Sequence, residues 1–395
     1  MIKQQEQLKQ AAVEMPDILL CFCHLRWDFV YQRPQHIMTR MAKRYQVFFI
    51  EEPGFHAGPD EFRVRETEGI SVVNFLLQEA SVSTASLDQR QQLLLDKFIK
   101  DFKVKNFIAW YYTAMALKFS RHLQPVYTVY DCMDELSAFK FAPQEMRILE
   151  TALLKKAALV LTGGHSLYQA KKHTHHNVYP FPSSIEKEHF AKGRLVEEEP
   201  EDQAHIPSTR MGFYGVIDER FDIDLIAEVA RLRPQWQLVL IGPVVKIEES
   251  SLPRLENIHY LGCKSYQELP QYLAGWDIAM IPFARNESTR FISPTKTPEY
   301  LAAGCPVIST SITDVVNPYH TQQLVHIADT AADFIAAAEK ELRASETDYQ
   351  RWLVKVDSFL ENISWDHTVA KMQQLMDECL CTKAVSTNAA LKSVA

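Results

Sequence analysis

The chain has 395 residues, 47% hydrophobic and 23% charged, which is enough apolar material for two domains or three. A formal net charge of −8 disfavours a nucleic-acid partner. Seven scattered cysteines form neither a CxxC metal pair nor a disulfide scaffold, and no apolar run reaches the ~18–20 residues of a membrane span.

The opening segment, 1–14, is polar and Gln/Lys-rich, with no secretory pattern, and is expected to be a flexible tail of a cytoplasmic protein. Five short apolar runs then read as buried strands: Asp17–Cys23, Gln46–Ile50, Phe107–Trp110, Val126–Tyr130 and Leu159–Thr162. Between them Pro34–Lys43, Leu87–Phe102 and Gln144–Ala157 have helical spacing. Strands alternating with helices imply a parallel sheet covered on both faces. Three loops of this half carry chemistry. Trp27, Arg33 and His36 follow the first strand and read as a surface on the acceptor or sugar side. Asp131 and Asp134 end the Val126–Tyr130 strand and are alternative general bases, since a base must lie within hydrogen-bond reach of the attacking hydroxyl. His165 follows two glycines after the fifth strand and can donate to a phosphate or hydroxyl. Lys97, Lys100, Lys103 and Lys105 suit an anionic surface, so a peripheral contact at the inner face of a membrane is also expected.

The alternation weakens at 185–208, where the acidic run Glu197–Asp202 reads as a solvated linker. It then restarts, with strands at Met211–Val216, Gln237–Ile241, Ile258–Leu261, Ile278–Ile281, Val307–Ser309 and Leu324–Ile327. The interleaved helices are expected at Ile223–Leu232, Tyr266–Leu273, Pro298–Ala303 and Thr330–Leu342, followed by one long helical stretch at Tyr349–Leu380. The expected organisation is a first domain at 15–195, a second at 209–364, a helix at 365–381 crossing back to the first, and a flexible tail at 382–395. Such sheets bind ligands at the carboxyl ends of their strands.

Two loops of the second half point to a nucleotide. Gly215 after its first strand lets a ligand approach the backbone, and Arg220 offers paired donors to a diphosphate. Ser293, Pro294, Thr295 and Lys296 feed a helix start, where N–H groups lack intrahelical partners and the dipole favours anions. Glu299, one turn in, is placed to take ribose hydroxyls. No metal site and no cofactor is expected.

The segments GFYGVIDERFD, IGPVVKI, RFISPTKTPEYLAAGCPVIST and DVVNPY, with RPQH at 33–36, YDCMDE at 130–135 and TGGHSLY at 162–168, resemble glycosyltransferase family 4-like bacterial enzymes. Teichuronic acid and exopolysaccharide glycosyltransferases belong to that group. The resemblance implies an α/β fold of GT-B type: two Rossmann-like, doubly wound parallel-sheet domains facing across a cleft. It implies a nucleoside-diphosphate-sugar donor held by the second domain, and a glycan or lipid-linked acceptor met by the first. It also implies transfer without a metal. Of the two glutamates the family separates by seven intervening residues, Glu299 fits the second, and Phe291 stands where the first would fall. A sugar-nucleotide epimerase of the same build, and a nucleotide-sugar-binding partner without catalysis, are the alternatives.

Overall fold

The computed structural model describes residues 16–79 and 85–394, and of 382–394 the backbone alone. The expected tail at 1–14 lies outside the described residues.

Nine strands form the first sheet: β1 (Ile18–Phe22), β2 (Gln46–Ile50), β3 (Gly54–His56), β4 (Glu61–Thr67), β5 (Ile70–Gln78), β6 (Phe107–Tyr111), β7 (Tyr127–Cys132), β8 (Leu159–Thr162) and β9 (Val178–Pro180). Their order is β3-β5-β2-β1-β6-β7-β8-β9, parallel throughout, with β4 antiparallel on β5. The inner strands are apolar at successive positions because helices cover both faces; every residue of β1 is buried. The second sheet is fully parallel: β10 (Arg210–Tyr214), β11 (Gln237–Ile241), β12 (Ile258–Tyr260), β13 (Ile278–Ile281), β14 (Val307–Ser309) and β15 (His326–Ile327), ordered β12-β11-β10-β13-β14-β15. In each sheet the strand order reverses beside the domain's first strand, β1 or β10. The crevices therefore open at the loops after Phe22 and Tyr214.

Three boundaries differ from the sequence reading. Ile185 and Phe190 are buried in the second domain's core, so the chain has already crossed over before residue 195. The acidic run keeps Glu197, Glu198 and Glu201 exposed, as expected of a solvated linker, but is tied down at two points. Glu199 pairs with Arg210, and Asp202 accepts from Lys264 at 2.5 Å and Tyr272 at 2.7 Å. Finally, the terminal helical stretch is two helices, Glu346–Leu360 and Trp365–Val394, the second running beyond the expected end at 381. Trp365, Val369, Met372, Met376 and Leu380 recur at helical spacing and are all buried in the first domain's core. Arg40–Asp366 at 3.1 Å and Arg44–Asp377 at 2.6 Å flank that stripe. The closing helix thus straps the second domain to the first.

Candidate active site

The donor-side residues converge at the end of β10. Gly215 has φ +138, a conformation that favours glycine, and the end of the Lys296 side chain lies where a Cβ would point. Lys296 opens the helix Lys296–Ala302. Its Nζ lies 5.5 Å from the Phe213 ring centroid and 5.6 Å from that of Phe283, with no carboxylate in ion-pair reach among the described residues. Burial holds this ammonium below the ordinary lysine range, against the opposing pull of Glu299. Glu299 is 4% exposed and accepts from the Tyr214 hydroxyl. Burial raises its carboxyl, while Tyr214 and Lys296 work the other way. The result is a cation and an acid, one helical turn apart, lying against a glycine that keeps the backbone accessible.

Arg220 lies beside them. Its Nε and Nη2 both donate to Asp218, at 3.0 and 2.7 Å, and its guanidinium sits 5.2 Å from the Phe139 ring. Lys246 of the next loop approaches the same ring at 5.5 Å. Phe139 belongs to the first domain, so one ring engages two cations of the other domain.

The 293–295 loop has a second duty. The Ser183 hydroxyl donates to the Ser293 carbonyl at 2.5 Å, and Pro294 has no N–H. The carbonyl contact leaves the Ser293 N–H unused among the described residues, so the amides facing an anion here are those of Ser293, Thr295 and Lys296. Phe291, where an acid was sought, is partly buried against the first domain's core. The loop is thus both donor site and domain contact.

On the first-domain side the structure separates the two candidate bases. Asp131 is fully buried, and Arg33, 4% exposed, donates to it at 2.8 Å. Arg33 also donates to the Phe181 carbonyl at 2.7 Å. Burial raises the Asp131 carboxyl and Arg33 opposes it. The pair is internal, so Asp131 does not reach an acceptor and Arg33 does not face one. Trp27 and His36 are likewise corrected from surface to core. Trp27 meets Phe49 edge-on at 5.0 Å, and His36 stacks on Trp365 at 4.8 Å. Burial pushes His36 well below the usual imidazole range, which suits a neutral packing residue. His165 is exposed, but the adjacent Ser166 N–H donates to Asp314 of the second domain at 2.9 Å, and a Cβ at Gly164 would collide with that carboxylate. Gly164 admits the other domain, while Gly163 makes room for the Met133 backbone of its own domain.

Asp134 is only partly buried and lines an interdomain cavity of about 720 Å³ together with Asp218, Arg220 and Lys246. Burial pushes its carboxyl up to about 6, with Arg220 and Arg33 opposing. His24, two residues after β1, lines the same cavity and was not singled out from sequence. Burial, aided by Lys246, pushes it down to about 4, so it is neutral at pH 7. An ionisable residue just beyond the carboxyl end of the first strand was the available signal. Asp218, which fixes Arg220, was missed as well.

The second-domain part of this geometry lies within a region that matches a known family. Residues 209–343 match glycosyl transferases group 1. TuaH of Bacillus subtilis (strain 168), assigned to teichuronic acid biosynthesis as a glycosyltransferase, is 26% identical over 232 residues, 54% of this chain and 58% of TuaH. The chain thus spans somewhat over half the length of that curated relative. Among solved structures, sucrose-phosphate synthase from Thermosynechococcus elongatus is similar over 92% of this chain and 100% of its own, with TM-score 0.68 and 14% identity. An E. coli trehalose-6-phosphate structure bound with UDP-2-fluoro glucose gives 0.65 at 12% identity, over 90% and 98% of the two chains. Anabaena HepE in complex with UDP and glucose gives 0.63 at 13%, over 91% and 99%. At such identities the likeness establishes the fold, which is GT-B: two Rossmann-like domains facing across a cleft.

Proposed function

We propose that the chain is a glycosyltransferase that moves a sugar from a nucleoside-diphosphate sugar to a glycan or lipid-linked acceptor of bacterial polysaccharide biosynthesis. The observation that carries this reading is the Gly215, Lys296 and Glu299 constellation inside the group 1 region. An ammonium with no carboxylate in ion-pair reach among the described residues is placed for a diphosphate, and a buried acid one turn on is placed for ribose. The relatives complexed with UDP support the donor class. In the proposed reaction Lys296, the amides of Ser293, Thr295 and Lys296, and Arg220 stabilise the charge that develops on the leaving diphosphate. Donors preorganised toward developing charge are the largest usual source of catalysis. Arg220 turns from Asp218 and Phe139 toward the phosphate as the donor enters. If the outcome is inversion, Asp134 takes the acceptor proton, and a carboxyl near 6 is matched to that task. These protein cations carry the phosphate charge in this scheme, so transfer is expected to survive EDTA.

The test is calorimetry with UDP, ADP and GDP, followed by turnover of the matching nucleotide sugars with and without membrane extract. The tightest nucleotide should lose about 10- to 100-fold in affinity in Glu299→Ala, the size of a lost charge-assisted hydrogen bond. Unchanged affinity would remove the ribose assignment. Sugar transfer only when extract is present supports a transferase, turnover without acceptor to an isomeric nucleotide sugar supports an epimerase, and binding without turnover supports a non-catalytic partner.

A further inference from the structure

Tyr214 ends β10, and it meets the helix Lys296–Ala302 twice. Its N–H donates to the Tyr300 hydroxyl at 3.1 Å, and its own hydroxyl donates to Glu299 Oε2. The ring that joins these two bonds is held still. It is buried, edge-on to the Tyr300 ring at 4.9 Å, stacked on Phe190 at 6.5 Å and tilted against Trp276 at 6.2 Å. Burial, and then the Glu299 carboxylate, push the phenol well above its usual range, so it remains a donor throughout neutral pH. Glu299 is poorly supplied for a buried acid. An ionised carboxylate offers about four acceptor sites, and burying it without donors is costly. Among the described residues Tyr214 is the only hydrogen-bond donor to the Glu299 side chain. Oε1 takes no such bond, yet it is not one of the buried polar atoms left without a partner, so it is open. The two oxygens of one acid thus differ: Oε2 is committed to the phenol and Oε1 is free. Core packing alone does not ask for this, because a backbone carbonyl would satisfy a buried phenol without burying a charge.

We propose that Tyr214 is a positioning residue of the nucleotide site: by holding Oε2 it turns Oε1 alone to the ligand, so Glu299 takes one ribose hydroxyl and not both. This rests on the reading of Glu299 as the ribose acid, and adds which oxygen binds and what fixes it. A carboxylate that grips both hydroxyls of a ribose presents both oxygens to them. Here one oxygen is already bound to a group that the core keeps in place. The acid is therefore set before the nucleotide arrives, and less side-chain freedom is lost on binding. The same fixing makes the site selective between the 2′ and 3′ hydroxyls.

The experiment titrates the full-length protein with UDP, ADP and GDP, then with the 2′-deoxy and 3′-deoxy forms of whichever binds tightest. In the wild type one deoxy form should lose about 10- to 100-fold in affinity, the size of one charge-assisted hydrogen bond, and the other less than about twofold. Tyr214→Phe removes the donor and keeps the ring, so the near-ultraviolet circular dichroism should be unchanged. It frees the carboxylate to turn, and the ratio between the two deoxy forms should fall from at least about fivefold to below about twofold. A merely structural phenol would lower the affinities of the parent and both deoxy forms by one factor and leave that ratio intact, which would overturn the proposal. Equal losses for the two deoxy forms in the wild type would overturn it without any variant. Glu299→Ala on the same panel separates the two readings. If that variant weakens binding while both deoxy forms lose equally in the wild type, the Tyr214 role fails alone. If the deoxy forms bind as tightly as the parent and Glu299→Ala changes nothing, the ribose assignment beneath it fails as well.

Discussion

Two aspartates three positions apart show how far neighbouring residues can diverge in role. Asp131 is sealed in an ion pair with Arg33, while Asp134 faces the cavity. Removing one partner of a buried pair leaves the other charge uncompensated, so Asp131→Asn should destabilise the protein by about 3–5 kcal/mol, measured by urea unfolding at pH 7. A loss under about 1 kcal/mol would mean that the pair is not structural. Asp134→Asn should behave in the opposite way. The carboxyl is raised in the folded state, so the folded protein binds the proton more tightly than the unfolded chain. Between the ordinary aspartate value and about 6, Asp134 therefore adds stability as the pH falls, and its ionised form costs stability above that window. Asp134→Asn should leave stability at pH 7 to 8 unchanged or slightly raised. If Asp134 takes the acceptor proton, wild-type kcat/KM should fall tenfold per unit below about pH 6, and the variant should lose both rate and that acid limb. A limb that persists in Asp134→Asn would assign the titration to another group. The sequence alone did not separate the two acids, because the partner that silences Asp131 lies 98 residues away at Arg33.

At the scale of elements, the strands buried on both faces were the most legible. Gln46–Ile50, Leu159–Thr162, Gln237–Ile241 and Ile278–Ile281 stand at the bounds the apolar runs indicated. The strands β3, β4 and β5, at one end of the first sheet, were not read. β4 is nowhere buried, and its Glu-Phe-Arg-Val-Arg-Glu-Thr pattern has no continuous apolar run to mark it. The break between the last two helices, at 361–364, carries neither glycine nor proline, and tertiary packing sets it: Trp365 must turn inward onto His36. The same contact explains why Trp27, Arg33 and His36 read as surface. Polar and aromatic residues in a loop look solvated until the strap and the core that cover them are in place. Trp365→Ala should therefore cost about 3–5 kcal/mol, the usual range for deleting a fully buried tryptophan. The cost should appear as a lower urea midpoint with an unchanged nucleotide affinity per folded molecule. If nucleotide affinity falls while the urea midpoint stays put, the helix serves the donor site directly and is not a strap.

At the scale of the whole molecule, the closing helix and the Tyr31–Tyr266 ring contact join the domains on one side, and a set of loop contacts joins them around the donor loop. Ser183 bonds Ser293, the Ser166 N–H bonds Asp314, and Phe139 takes Arg220 and Lys246. Each joins a loop at the carboxyl end of one sheet to its counterpart on the other, so closing the cleft and completing the donor site are one event. Closure of this kind excludes water that would otherwise intercept the sugar. The Asp314 contact is the one most open to a clean test, because Gly164 leaves room for that carboxylate and nothing larger than hydrogen fits at position 164. Asp314→Ala removes a charge-assisted hydrogen bond worth about 1.5–3 kcal/mol. A loss of that size shifts the closed-to-open ratio by roughly tenfold or more. Small-angle scattering of the ligand-free variant should show a larger radius of gyration than the wild type, and saturating nucleoside diphosphate should restore much of the difference. Donor hydrolysis should rise relative to transfer, because water reaches an incompletely closed cleft. A variant with wild-type dimensions and a wild-type ratio of transfer to hydrolysis would show that Asp314 merely caps the helix it touches, and that closure is held by the aromatic and serine contacts instead.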